Sequence, residues 1–287
     1  MIPPAFNYHA PKSISEAAQL LAGFGDDAKV LAGGHSLLPL MKLRLAQPAH
    51  LIDLNRIEGL KGIREEAGAI CIGAMTSEND LIASALLAQK APLLPEVARQ
   101  IADPQVRNRG TIGGDLAHGD PANDHPAAAI AMDATLVLAG PSGERSVPAD
   151  KFFLGTFATE LKPGEILKEI RIKPFPAGTG YAYCKLKRKT GDWATAAAAV
   201  VMQMSGGLVS SVRIALTNVA PAALRATAAE AALKGTPANE QMIAAAAQAA
   251  ASACSPSEDL RGDREYKLAM ADEMTRRAIR LALSRCK

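Results

Sequence analysis

The chain has 287 residues, 48% hydrophobic and 21% charged, which allows two domains with a third subdivision and excludes a disordered chain. A net charge of +3 without a long Lys/Arg run gives no grounds for a nucleic-acid or membrane-surface partner. Aromatic residues make up only 4% and alanine is plentiful, so an aliphatic core with close helix contacts is expected.

In chain order, Ser13-Ile-Ser-Glu16 has capping-box spacing, and Ala17, Leu20, Leu21 and Phe24 continue it at helical period up to Gly25. A short strand from Ala28 then runs into Ala32-Gly-Gly-His-Ser36, and Leu51–Leu54 reads as a second strand. Further strands are expected at 69–74, 135–139 and 165–172, the last half-exposed because Ile166, Ile170 and Ile172 alternate with charge. Thr76-Ser-Glu opens a helix over 77–89, and another covers 94–102. The Pro- and Gly-rich run Lys173–Gly180 reads as a domain boundary. Beyond it, two strands flank Ser205-Gly-Gly207 as a hairpin, and 222–285 is helical, with Asp263 capping a last helix. Leu268, Ala271, Met274, Ala278 and Leu281 are expected inward on that helix, and Arg276, Arg277 and Arg280 favour its C-terminal dipole.

Cys71, Cys184, Cys254 and Cys286 form no CxxC pair, so neither an iron–sulfur cluster nor structural zinc is signalled; free thiols in a reducing cytoplasm are expected. MIPPAFNYHAPKS has no basic stretch leading into an apolar one, so no secretory leader is expected. The apolar segments near 194–204 and 242–253 are too short and alanine-rich to span a bilayer.

The chemistry concentrates in two glycine loops, Ala32–Ser36 and Thr111-Ile-Gly-Gly-Asp115. A diphosphate needs several backbone N–H groups aimed at one place without side chains in the way, and a neighbouring hydroxyl adds a donor. Each loop alone also reads as a plain tight turn. Gly23-Phe-Gly25 lacks the third glycine of a dinucleotide fingerprint and sits at a helix end, and no GxxxxGK[ST] occurs. A P-loop NTPase and a Rossmann dehydrogenase are therefore both disfavoured.

Lys29-Val-Leu-Ala-Gly-Gly-His-Ser36, Gln105-Val-Arg-Asn-Arg-Gly-Thr-Ile-Gly-Gly-Asp115 and Asp120-Pro-Ala-Asn-Asp-His-Pro126 together resemble the FAD-binding medium subunit of the xanthine dehydrogenase family of molybdenum hydroxylases. The wording AGGHSLLPLMKLRLAQP looks most like the flavoprotein subunits of aerobic carbon monoxide dehydrogenases, and the similarity runs through Asp259-Leu-Arg-Gly-Asp-Arg-Glu-Tyr266. The resemblance implies an α+β fold of the p-cresol methylhydroxylase or vanillyl-alcohol oxidase type. Its two FAD-binding subdomains fall at 1–55 and 56–176, and a C-terminal domain of a three-stranded antiparallel sheet with a helix bundle at 177–287.

It also implies non-covalent FAD, cradled by Lys29, Val30, Leu31, Ala32, Gly33, Gly34, His35 and Ser36 with Thr111, Ile112, Gly113, Gly114 and Asp115. Asp124 is expected on the flavin's polyol portion, a task suited to a carboxylate that accepts hydroxyl hydrogen bonds. Ile101, Leu167 and Lys185 match further lining positions, and Trp193 is expected over the flavin ring or in the core. Some related oxidases attach FAD covalently to a loop histidine; for His35 a backbone or ribityl hydrogen bond is favoured. No residue of this chain is expected to be the catalytic base.

The family works as a relay. A large molybdenum-cofactor subunit oxidises substrate, a small subunit with [2Fe–2S] clusters passes single electrons, and the FAD of the medium subunit collects them. A quinone-type acceptor, with NAD as the alternative, and a dimer of heterotrimers in the cytoplasm or at the inner membrane face complete the expectation. Medium subunits of xanthine, aldehyde, nicotinate or aryl-CoA enzymes are the nearest rivals. A stand-alone flavin oxidase would need acid–base or aromatic residues over the ring, which 4% aromatics disfavours. Retention of both loops and Asp124 argues against a module that has lost its cofactor.

Overall fold

The computed structural model describes residues 2–287. Strand β1 (Asn7–His9), helix α1 (Ile14–Phe24), strand β2 (Ala28–Leu31), the short helix α2 (Leu37–Lys42) and strand β3 (His50–Asp53) form the opening unit, a parallel sheet of order β1-β3-β2. Ser13 accepts the Glu16 N–H at 3.1 Å, as the spacing predicts, while Glu16 reaches back to the Lys12 N–H at 2.8 Å instead of that of Ser13. Buried Ala17 and Ala18 bring α1 close to Ile52 and Ala28. The C-terminal end of β2 opens directly into the first glycine loop.

The second sheet is antiparallel, with strands β4 (Ile63–Glu66), β5 (Ala69–Gly73), β6 (Thr135–Gly140), β7 (Gly143–Pro148) and β10 (Ile166–Ile172) in the order β4-β5-β10-β6-β7. A small ribbon of β8 (Phe153–Gly155) and β9 (Ala158–Thr159) lies between β7 and β10 in sequence. Strand β10 is central, so it is buried on most of its length where alternation predicted half exposure. Its Glu169 is tolerated there because Arg64 and Arg171 each meet a carboxylate oxygen at 2.6 Å.

Between β5 and β6 the chain runs through α3 (Glu78–Ala83), α4 (Ala85–Lys90), α5 (Leu93–Ala98), α6 (Pro104–Arg107), α7 (Ile112–His118) and α8 (His125–Ala131), and α9 (Ala149–Phe152) follows β7. The single helix expected over 77–89 is broken at Ser84, whose extended backbone ends α3 and whose side chain caps α4. The second glycine loop is itself the first turn of α7, which Thr111 caps by accepting the Gly114 N–H at 3.2 Å.

The last sheet contains β11 (Gly180–Leu186), β12 (Ala196–Ser205), β13 (Leu208–Thr217) and the two-residue β14 (Leu224–Arg225), antiparallel throughout. The β12–β13 turn has positive φ at both Gly206 (59°) and Gly207 (78°), the twist a two-residue hairpin requires. Tyr183, Ala197, Ala199 and Ala215 pack with the helices that precede this sheet. Ala182, Ala198, Val200, Met202, Ile214 and Leu216 pack with α10 (Thr227–Leu233), α11 (Glu240–Ser252) and α12 (Arg264–Arg285). The alanine run of β12 is thus buried on both faces, which explains its hydrophobicity without a membrane, and among the described residues no helix is long and apolar enough to cross one. On α12, Ala271, Met274 and Ala278 are buried, while Arg276, Arg277 and Arg280 pair with Asp272, Glu273 and Glu240.

Candidate functional site

A cavity of about 710 Å³ lies at the junction of the three units. That is within the usual range for a small-molecule or cofactor site. The end of β2 and its loop form one wall, α6–α8 another, and β11 with the Gly191–Trp193 segment closes the third side. Among the residues singled out by sequence, Lys29, Val30, Ala32, Gly33, Gly34, His35, Ser36, Ile101, Thr111, Gly114, Asp115, Asp124, Lys185 and Trp193 line it together.

Leu31, Ile112, Gly113 and Leu167 do not. Leu31 turns beside Gly34 and Leu38 on the alternate side of β2. Ile112 is buried, and its N–H donates to Thr76 at 3.1 Å. The Gly113 N–H donates to Ala74 at 2.8 Å, and a Cβ there would stand 2.4 Å from the Ala74 Cβ. This glycine therefore serves helix packing. Leu167 lies on the central strand β10, opposite Leu138, within the core.

The two glycine loops meet. A Cβ on Gly33 would stand 2.2 Å from the Arg109 carbonyl oxygen, and one on Gly114 would stand 3.3 Å from the Ala32 Cβ. Gly34 has φ +79°, a conformation side chains disfavour. The N–H groups of Gly33, Gly34, His35 and Ser36 have no acceptor among the described residues. Four consecutive donors in a turn with a left-handed residue form an anion-binding concavity. The second loop contributes differently, because the N–H groups of Ile112, Gly113, Gly114 and Asp115 are engaged within the protein. What it offers is the Thr111 hydroxyl proton and the lack of a side chain at Gly114.

Below the loops lies a buried charged cluster that the sequence did not announce in full. Lys185 Nζ meets Asp124 Oδ2 at 2.7 Å, and the Tyr183 hydroxyl donates to the other Asp124 oxygen. Burial, with the Asp124 charge adding to it, holds the Tyr183 phenol well above its ordinary range. Glu78, the first residue of α3, meets His125 Nε2 at 2.7 Å with both side chains buried. Burial alone would lower the His125 pKa, but Glu78, aided by Asp115 and Asp124, pushes it up to about 9. Asp115 Oδ1 is sealed from solvent and has no hydrogen-bond partner. Burial pushes its carboxyl up to about 8; His125 opposes this, and Glu78, Asp124 and Asp120 add to it. Asn123 anchors the Asp115 backbone carbonyl at 2.9 Å. Glu78 was legible only as a helix start, and His125 only within the Asp120–Pro126 run.

This lining suits a dinucleotide: free backbone donors for a diphosphate, buried carboxyl groups for hydroxyls, and an indole at the mouth. Residues 4–175 match the family described as the FAD binding domain in molybdopterin dehydrogenase, and residues 181–282 match the CO dehydrogenase flavoprotein C-terminal domain. The chain belongs to the FAD-binding subunits of the molybdenum hydroxylases. It is 62% identical over 286 residues to the carbon monoxide dehydrogenase medium chain of Hydrogenophaga pseudoflava, and 50% identical to that of Afipia carboxidovorans, with 100% of each chain covered in both cases. The solved carbon monoxide dehydrogenase from H. pseudoflava that lacks the Mo-pyranopterin moiety superposes with a TM-score of 0.99 at 64% identity, again covering 100% of both chains. The mixed helix-and-sheet architecture with a separate C-terminal sheet is that of these flavoprotein subunits.

The residues present fit FAD. The orphaned donors of Gly33–Ser36 and the sealed, unpartnered Asp115 oxygen are polar groups that a bound dinucleotide would satisfy.

Proposed function

We propose that this chain is the FAD-carrying electron-transfer subunit of an aerobic carbon monoxide dehydrogenase. The observation that carries the reading is end-to-end identity of 62% and 50% to two carbon monoxide dehydrogenase medium chains, over a site whose geometry suits the cofactor. A large molybdenum subunit oxidises CO with water to CO2, a small [2Fe–2S] subunit relays the electrons, and a quinone-type acceptor on the inner face of the membrane receives them. Two copies of each subunit form the complex. FAD, when bound, supplies the junction between one-electron donors and a two-electron acceptor.

This chain's own contribution is to bind, orient and shield. The Gly33–Ser36 N–H groups and the Thr111 hydroxyl receive the diphosphate, and Asp124, already held by Lys185 and Tyr183, accepts from the polyol hydroxyls. Lys185 supplies positive charge beside the flavin, Asp115 offers a protonated carboxyl donor, and Trp193 covers the ring. His35 makes a hydrogen bond and no covalent link.

The test uses the complex purified through a tag on this chain. Acid precipitation should release soluble FAD in roughly equal amount to the chain, and CO should bleach the flavin absorbance of the intact complex. Flavin in the pellet would implicate His35 in a covalent bond. A complex bleached by a heterocyclic substrate but not by CO would overturn the substrate, and an intact complex without flavin would overturn the reading as a whole.

A further inference from the structure

The segment Asp259–Tyr266 lies outside the cavity lining, yet it reaches the cavity mouth through one side chain. Arg261 donates from its guanidinium to Asp192 Oδ1 at 3.0 Å, and its central carbon lies 5.5 Å from the centroid of the Trp193 ring. Asp192 is buried and is held from the other side by Arg188 at 2.8 Å. The same Asp192 Oδ1 accepts the Trp193 N–H at 2.9 Å, so one carboxylate fixes both the backbone of Trp193 and the cation against its ring. Arg188 and Arg261 outweigh burial and bring the Asp192 carboxyl down to about 2, so the anchor stays charged at any working pH.

Arg261 is itself braced. Its N–H donates to Asp259 Oδ1 at 2.8 Å, Asp259 Oδ2 meets the Lys267 ammonium at 3.0 Å, and Lys267, fully buried on α12, also donates to the Ser257 carbonyl at 2.9 Å. Arg261 Nε is sealed from solvent without a hydrogen-bond partner, and the carboxylates of Asp192 at 3.0 Å and Asp259 at 3.8 Å together with the indole offset the burial of the guanidinium. A continuous set of charged contacts thus runs from the C-terminal helix to the one tryptophan of the chain, at a position flanked by Gly191 with φ +82°.

We propose that Arg261 is a positioning residue of the flavin site: by gripping Asp192 and lying over Trp193 it holds the indole at the cavity mouth and slows loss of the bound dinucleotide. The proposal rests on the reading of the cavity as the FAD site. Arg188 shares the grip on Asp192 and also donates to the Leu260 carbonyl at 3.1 Å, whereas the cation over the indole is that of Arg261.

Because Trp193 is the sole tryptophan, the emission of the isolated full-length chain reports its surroundings alone. Arg261→Met should make Trp193 clearly more open to acrylamide quenching at an unchanged far-ultraviolet dichroism spectrum. Lost cation–π and charge-assisted contacts should speed FAD loss from the purified complex by roughly tenfold or more. Arg261→Lys should recover part of both effects, and Arg188→Met should change them less. Where the Met variant does not fold, Arg261→Gln serves in its place. Wild-type quenching in a folded Arg261 variant overturns the positioning role. Altered quenching with an unchanged rate of FAD loss overturns its link to ligand retention. A wild-type complex that holds no FAD overturns the flavin reading instead and leaves the quenching result standing.

Discussion

Lys185→Met probes the centre of the site. The Lys185 side chain is 1% exposed, that of Asp124 is 6% exposed, and their closest atoms are 2.7 Å apart. At that distance and an effective dielectric of about 20, the attraction is roughly 6 kcal/mol. Removing both charges from water offsets most of this, so the pair itself adds little net stability. Removing only the lysine is different, because Asp124 is left buried with the Tyr183 hydroxyl as its remaining side-chain partner. That situation costs about 3–5 kcal/mol. The check is urea unfolding of the full-length chain as wild type, Lys185→Met, Asp124→Asn and the double variant. Each single change should lie in the 3–5 kcal/mol range, and the double should fall short of their sum by about 2 kcal/mol or more, the signature of a coupled pair. A Lys185→Met loss below about 1 kcal/mol, the level of an exposed pair, would refute the claim that this contact is buried and mutually dependent.

Stability should also fall as pH rises through the neutral range. His125 is raised in the folded chain, so its contribution is full below about 6.5 and lost as pH climbs to about 9; Asp115 is raised likewise, and its contribution is lost between about 4 and 8. Denaturant midpoints measured from pH 5 to 9 should therefore decline, His125→Asn should flatten the upper part of the curve, and Asp115→Asn should gain on wild type as pH rises from 4 to 8. A flat wild-type profile would contradict both assignments. Gly33→Ala places a Cβ 2.2 Å from the Arg109 carbonyl, so the loops must separate. A loss of about 1–3 kcal/mol with FAD-free complex is expected, whereas full flavin content would show that close loop contact is not needed.

Much of this site was legible because two Gly-Gly pairs, each beside a hydroxyl, recur in one chain, although each alone also reads as a tight turn, and the four glycines do three different things. Gly34 supplies a left-handed turn, Gly33 and Gly114 let the loops approach each other, and Gly113 lets α7 lie against Ala74. Local sequence separates none of these, since three of the four glycines answer to what another segment does. The same limit explains α7. Two adjacent glycines lower helix propensity, and their close packing, invisible locally, outweighs it. Strands were easier, as β2, β3, β5 and the β12–β13 hairpin carry their own pattern, while the burial of β10 is set by its central place in the sheet.

The parts least visible in sequence are those in which charge is shared across elements. Glu78 and His125 stand 47 positions apart, Lys185 and Asp124 61, and Arg261 and Asp192 69, and each pair joins segments that a local reading assigns separately. Each pair also lies within or against one cavity wall, and Lys185–Asp124 joins β11 of the last unit to the start of α8, so one of the ion pairs that shape the site also fastens two of the three units together. A dinucleotide in that cavity would touch all three units at once, and its binding would stabilise their mutual arrangement by mass action. Thermal unfolding of the full-length chain should shift upward with added FAD in proportion to occupancy, and the shift should vanish in Lys185→Met even where that variant remains folded. An equal shift in both chains would mean that the charged seam and the cofactor site are independent.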